Sequence, residues 1–322
     1  MGVASAVDLA GELKKKVRFR TAALRCGAAD TDAFASMLTI LSSSAALRMP
    51  PRMAVADAPS SSALLDRALL VTRACSLAFL PPPAIPSSPY ADGLRCIAQV
   101  EDPESLAGAT VLLNGDQCII ACRGSASVRN FRTNFNVGPA ALEAADGTHA
   151  GDAKVHNGFQ RASKELWRQI EPRLPRSAKS LVVTGHSLGG GTATLIALRA
   201  QAAGLAPELV TVAGPRLGNA AFAAHFREQC SEAVHLYHDD DDVLKSNREL
   251  WDNLGFEHVG REVRVDMSAP CVYVDGDADS CATDAAFAPS DMSLKGVLVD
   301  HCTYMGTYIG LRPQYFPQFM RW

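Results

Sequence analysis

Residues 180–190 read SLVVTGHSLGG, and the chain's architecture turns on this stretch. SLVVTG is apolar, β-branched and too short for a helix, which predicts a strand buried on both faces as in a parallel sheet. GGTATLIALRAQAAG (190–204) follows directly as a helix of small residues. Where the two meet, Gly185-His186-Ser187-Leu188-Gly189 matches G-x-S-x-G, the pattern of a sharp strand-to-helix turn that presents a serine. The serine of such a turn is strained, and the flanking glycines leave room for strand and helix to approach closely. Ser187 would then point its hydroxyl into a site. The Leu188 N–H, at the start of the helix, would face the oxyanion formed when that hydroxyl attacks a carbonyl, with the helix dipole adding to the attraction. The plain alternative is a glycine-rich turn without chemistry; a phosphate loop does not fit, because no Gly-Lys-Ser/Thr follows.

Outward from that turn the text keeps the alternation of an α/β fold. ATVLL (109–113) and QCIIACRGS (117–125), separated by NGD, predict a hairpin. Before them SSSALLDRALLVTRACSLAFL (60–80) repeats Leu64, Leu65, Leu69, Leu70 and Ala74 at helical spacing, and PPPAIPSSP (81–89) stops it. A loose Gly/Ala stretch runs from Phe135 to about Ala153, then a helix is predicted over roughly Phe159–Arg173. On the far side ELVTVAGP (208–215) and AVHLYHDDDD (233–242) continue the strand–helix–strand order of a sheet with crossover helices.

Composition bounds the function. The chain has 322 residues, 48% apolar and 20% charged, as a folded protein does, and 31 basic against 34 acidic residues give −3. That charge supplies no positive field for a phosphate backbone, so nucleic acid is not an expected partner. The longest uncharged, apolar-leaning run, Ala33–Leu47, is shorter than the ~20 residues of a membrane-spanning helix. Nine cysteines cannot all pair with one another and no CxxC suggests zinc, but Cys271 and Cys281, ten apart, could close a small disulfide in an oxidising compartment. Residues 1–60 are rich in Ala, Ser and Thr and carry eight basic and five acidic residues, so they read as an extension: either a targeting segment, plastid or secretory, or a solvated arm.

An alcohol needs a base and an acid to orient that base, in the chain order serine, carboxylate, histidine. Five histidines follow Ser187. His225 falls in a helix-like stretch and His235 inside a strand, whereas His258 and His301 sit in loop-like contexts. His301 is preferred as the one nearest the C-terminus, after the last strand. For the acid, HDDDDV (238–243) follows a strand; four adjacent aspartates also fit a solvated run or a cation site. DGDADS (275–280) begins like a calcium loop but has Ser280 where Gly is needed and Ala286 where Glu is needed, so no metal is expected there.

Taken in order, RGSASVRNF (123–131), KVHNGF (154–159), VTGHSLGG (183–190), AGPRLGNAAF (213–222), DDV (241–243), GFEHVG (255–260) and VDHCTYMG (299–306) resemble the class 3 lipases over roughly residues 60–310. The resemblance implies an α/β-hydrolase fold: a predominantly parallel central sheet, helices on both faces and a lid over the site, with residues 61–322 as one domain. It implies Ser187 as nucleophile, Asp241 as orienting acid and His301 as base. Ser125 would be a second oxyanion donor opposite Leu188, and about residues 127–146 an amphipathic lid. His156 and His258 fall in motifs the family uses structurally. Three positions depart from the pattern: Leu244 stands where Pro is usual, Asn134 where fungal relatives have Asp, and Phe131 where Trp is common. Cys271 and Cys281 occupy a place where fungal relatives hold a disulfide.

The implied activity is serine carboxylic-ester hydrolysis of acylglycerols or polar glycerolipids through an acyl-enzyme, without a cofactor. The partners implied are a lipid ester and, through Val128, Phe131, Phe135 and Val137 of the lid, a lipid surface. Two other readings stand beside it: a lipase-like binding or signalling scaffold, and acyl transfer to an alcohol other than water.

Overall fold

A computed structural model describes residues 60–124, 138–144, 147, 149–230, 232–274, 277–281 and 297–312. The first described element is helix α1, Ser61–Leu77, whose N-terminus is capped by the Ser60 hydroxyl accepting from the Ala63 amide. The proline-rich stretch that ends it is itself a 3-10 turn, Pro82–Ser87. Strands β1 (Arg95–Glu101), β2 (Gly108–Asn114) and β3 (Gln117–Arg123) form an antiparallel meander, and Asn114 pairs with Gln117 across the two-residue turn expected at NGD.

The expected loose stretch before Ala153 is instead a hairpin, β4 (Pro139–Glu143) with β5 (His149–His156). Helix α2 runs Asn157–Ile170, and the final residues of its predicted span, Glu171–Arg173, are a 3-10 turn. Strand β6 (Ser180–His186) and helix α3 (Leu188–Ala202) meet at Ser187. They are followed by β7 (Pro207–Val212), β8 (Gly218–Asn219), α4 (Ala220–Gln229) and β9 (Ala233–Tyr237). Next come α5 (Asp242–Leu254), β10 (Phe256–Glu257), β11 (Arg261–Val265), β12 (Cys271–Val274) and β13 (Asp277–Cys281). The last described elements are α6 (Val297–Cys302), β14 (Thr303–Tyr304) and β15 (Thr307–Tyr308).

Among the described residues, nine strands form the main sheet in the order β1-β2-β3-β6-β7-β9-β11-β12-β13. Strands β3, β6, β7, β9 and β11 are parallel, and both flanks are antiparallel. This is the mainly parallel central sheet of an α/β-hydrolase. Strands β10, β8, β5 and β4 make a smaller second sheet.

Helices cover both faces of the main sheet, each over its own apolar core. On one face α1 packs Leu64, Leu65, Val71 and Leu77 with Tyr304, Met305 and Ile309 of the C-terminal segment. On the other, α2, α3 and α4 contribute Leu166, Ile170, Leu195, Ile196, Phe222 and Phe226. Each fully buried Leu, Ile or Phe adds about 1.5–3 kcal/mol, so the sheet is held from both sides. The parallel strands β6 and β9 end at Ser187 and at the Asp-rich turn, on the carboxyl side where ligands bind in open α/β sheets.

Candidate active site

The turn at Ser187 has the strain expected of it. Ser187 sits at φ 55°, ψ −129°, in a region non-glycine residues seldom occupy, at a cost of order 1–3 kcal/mol. Two glycines make this possible by close approach. A Cβ on Gly185 would run into the Gly189 carbonyl, and one on Gly189 into the Cys122 carbonyl oxygen at the end of β3. Strand, turn and neighbouring strand thus touch backbone to backbone. Leu188 is the first residue of α3, so its N–H is one of the four that a helix start leaves without an intrahelical acceptor.

Ser187 Oγ lies 2.8 Å from Nε2 of His301, and Nδ1 of His301 lies 3.0 and 2.9 Å from the two carboxylate oxygens of Asp241. His301 is not in a loop after the last strand, as its sequence context suggests. It lies on α6 and is followed by the β14–β15 hairpin, which packs Tyr304 and Met305 into the core and so fixes the segment.

Asp241 is the one of the four adjacent aspartates that faces inward, with no exposed surface. Asp239 pairs with Arg264 at 3.4 Å and Asp242 with Lys245 at 3.2 Å, both at the surface. Asp241 is the N-cap of α5, accepting from the Val243 and Leu244 amides at 3.0 Å each, and it accepts the Tyr304 hydroxyl at 2.6 Å. Burial alone would raise its carboxyl, but the hydrogen bonds from His301, Tyr304 and the Leu244 amide outweigh it and hold the group well below the ordinary carboxylate range. The acid is thus kept as an anion that orients a histidine proton.

Of the histidines weighed for the base, His225 is on α4. His235 is buried in β9, where its Nδ1 is 2.9 Å from the Thr211 hydroxyl. Its ring stacks on His258 at 4.1 Å and 21°. His235, His258 and Glu262 are the one cluster among the described residues that brings three ligand-type atoms within 4.8 Å of one another. Stacked rings direct their in-plane lone pairs alongside each other, whereas a metal needs them convergent. Burial and then the positive charges of Arg216 and Arg248 hold His258 at about 4, an environment also unfavourable to a cation. The cluster therefore fits a neutral structural pair.

Three residues that sequence reasoning left without a role adjoin the constellation. Tyr304 bonds Asp241; His186 and His238, both buried, bond the backbone of the base-bearing segment. The signal for Tyr304 and His186 was present, since both stand inside quoted motifs.

Ser125, Phe131 and Asn134 lie outside the described residues, as does most of the segment read as a lid. The described part of that segment, Pro139–Glu143, is strand β4 of the second sheet, not an amphipathic lid element. Gly124, just before Ser125, packs against the elbow: a Cβ there would lie 3.0 Å from the His186 carbonyl and 3.5 Å from Ser187 Cβ. A cavity of about 820 Å³ opens beside Leu188 along α3 and α2, lined in part by Leu188, Thr192, Arg199, Phe159, Trp167 and Arg123.

Residues 119–248 match the family model described as Lipase (class 3). Over 155 residues the chain is 32% identical to a secreted mono- and diacylglycerol lipase 1 of Fusarium solani, covering 47% of this chain and 44% of that protein. Over 205 residues it is 29% identical to a lipase of Rhizomucor miehei, covering 60% of this chain and 53% of the relative. The chain thus spans about half the length of the curated relatives it matches. Among solved structures, the native Rhizomucor miehei lipase propeptide complex superposes with a TM-score of 0.60 at 23% identity, over 78% of this chain and 83% of that one. A fungal lipase–inhibitor complex, described as a model for interfacial activation, superposes with a TM-score of 0.59 at 24% identity, over 78% and 98%. Likeness at this identity establishes the fold.

Proposed function

We propose that this chain, whose residues 119–248 match the class 3 lipase model, is a member of that family and a serine carboxylic-ester hydrolase that releases fatty acids from acylglycerols or polar glycerolipids. One observation carries the reading: an unbroken hydrogen-bonded chain from Ser187 Oγ through both His301 nitrogens to the buried Asp241 carboxylate. His301 Nε2 takes the proton of Ser187 as Oγ attacks the ester carbonyl. The amide of Leu188, with that of Ser125, stabilises the oxyanion, each donor lowering the barrier by roughly 3 kcal/mol. His301 returns the proton to the departing alcohol, and a water activated by the same nitrogen then releases the fatty acid from Ser187. Asp241 keeps its charge throughout and fixes the tautomer in which Nδ1 carries the hydrogen.

Residues 61–322 form the hydrolase domain in this reading, and residues 1–60 are an extension to it. The cavity beside Leu188, whose lining includes Leu188 but not Ser187 or His301, is the proposed seat of the lipid, and the segment after Ser125 is proposed as the lid that opens at a lipid surface. An acylglycerol substrate is in keeping with the name of the mono- and diacylglycerol lipase relative. No helix among the described residues is long and apolar enough to cross a membrane.

The test is hydrolysis of p-nitrophenyl butyrate by wild type and Ser187→Ala, with a fluorophosphonate probe as covalent readout. Loss of both turnover and labelling in the variant is expected; full turnover without the hydroxyl would overturn the assignment. A wild type that neither turns over nor labels would favour the binding scaffold. A rate that rises sharply above the solubility limit of tributyrin supports action at a lipid surface, whereas a smooth saturation curve points to an esterase.

A further inference from the structure

The segment that carries the base ends a helix. The last four carbonyls of α6 have no intrahelical donor, and three of these accept from elsewhere. The Cys302 carbonyl accepts the Ile309 amide at 2.6 Å. The other two accept from imidazoles. His238 Nε2 is 2.9 Å from the Asp300 carbonyl, and His186 Nε2 is 2.7 Å from the carbonyl of His301 itself.

A carbonyl oxygen can only accept, so both rings carry their hydrogen on Nε2. For His238 the opposite side agrees, because its Nδ1 accepts the Asp240 amide at 3.2 Å. The ring therefore joins two backbones: the turn that presents Asp241 and the helix end that presents His301. The Tyr304 ring packs against it at 4.4 Å, tilted by 51°, and Tyr304 itself bonds Asp241. His186 does the equivalent from the nucleophile's side, as the residue before Ser187, with its ring 4.9 Å from that of His301. Its Nδ1 is buried and has no partner among the described residues. A lone pair left unsatisfied in the interior costs stability, so the ring's position needs a compensating use, and the one bond it makes is to the base's own backbone. Burial lowers the His186 imidazole to about 3, so it stays neutral and keeps this one-donor form across the neutral range.

We propose, on the footing of the hydrolase reading, that His238 and His186 are positioning residues: paired imidazole struts that set where His301 stands relative to Asp241 and to Ser187. One strut ties the base to the acid's turn and the other ties it to the nucleophile's strand. Neither ring touches substrate or moves a proton in the reaction. A base displaced by about 1 Å loses roughly 10²-fold in rate while substrate binding is left alone.

The experiment compares full-length wild type with His238→Leu, His238→Gln, His186→Leu and His186→Gln on methyl butyrate and p-nitrophenyl butyrate, with Tm measured alongside. An alkoxide leaves only if His301 protonates it, whereas p-nitrophenolate leaves unaided, so a misplaced base harms the methyl ester more. Expected for the Leu variants is a kcat about 10²-fold lower on methyl butyrate, a smaller fall on the aryl ester, and KM within about threefold. Gln restores an N–H near the Nε2 position, and about tenfold of the lost kcat should return. Leu variants that keep kcat within about threefold, or Gln variants no better than Leu at equal Tm, would overturn the struts. An active wild type with indifferent variants would refute the struts alone; a wild type inert to both esters would refute the hydrolase reading and the positioning role with it. Imidazole ¹⁵N spectra of the unaltered chain decide the matter even where a variant does not fold. Both rings should show Nε2 protonated, and a proton on Nδ1 of either one refutes its strut.

Discussion

Asp241 shows what a single position can and cannot disclose. HDDDDV offers four identical side chains, and only packing separates them: one has no exposed surface while its neighbours pair with Arg264 and Lys245 outside. Ser187 was legible because its strain and its glycines are local, written in five consecutive letters. The acid was named as Asp241 only through the motif resemblance, because which of four carboxylates turns inward depends on α5, β9 and the distant Tyr304. That tyrosine yields a prediction. Tyr304→Phe removes the 2.6 Å bond and leaves a buried carboxylate oxygen one donor short, at about 1–3 kcal/mol of stability. Asp241 is held low in the folded state, so its contribution is complete above the ordinary carboxylate value of about 4 and fades as pH falls through the lowered one. Without Tyr304 the carboxyl is lowered less, and less stability is at stake. Unfolding followed from pH 7 into strong acid should show a gap between wild type and variant that holds while both carboxyls stay ionised and narrows only as pH falls through their lowered values, well under the ordinary one of about 4. A gap constant with pH would assign the loss to packing alone.

At the level of elements, the strand–elbow–helix unit was predicted within a residue or two, since β6 and α3 declare themselves by period and by β-branched or small residues. The β4–β5 hairpin was missed. PAALE and HAGDAKVH carry few β-branched or aromatic residues, and half of β5 is exposed, so neither propensity nor alternation marks them; the pairing of β5 to β8, some sixty residues on, does. His301 was identified by motif but misplaced in context, because the six-residue α6 is too short to leave a periodic trace. The elbow's tight contact yields the prediction at this scale. Gly189→Ala puts a methyl into the Cys122 carbonyl, which no side-chain rotation relieves, so β3 and α3 must part. The expected cost is about 3 kcal/mol or more, seen as a fall in Tm. Residual activity should drop further than the Tm implies, because the Leu188 amide moves with the helix. A variant with native Tm and rate would show that the backbones have slack there.

Across the whole molecule, the sheet is closed at one flank by a covalent link. Cys271 and Cys281 face each other in the β12–β13 ladder and are joined as a disulfide, as their spacing allowed. Such a bond persists in oxidising compartments. Tying a loop of this length restricts the unfolded chain by about 2–3 kcal/mol in the chain-entropy account. Reduction by dithiothreitol, or Cys271→Ser with Cys281→Ser, should lower Tm by several degrees while leaving activity at 25 °C intact, because neither cysteine is a partner in the hydrogen-bonded chain at Ser187. An unchanged Tm would mean the cross-link is not formed in the purified chain.

The two faces of the sheet have a further bearing on that chemistry. Leu188 and the nucleophile's helix pack into one apolar layer, whereas Tyr304, Met305 and the base's segment pack into the other. Proton traffic between Ser187 and His301 therefore straddles a seam between separately upholstered halves. Turnover measured on gentle warming should act as a gauge of whichever half slackens first. It should fail while circular dichroism still registers an intact molecule.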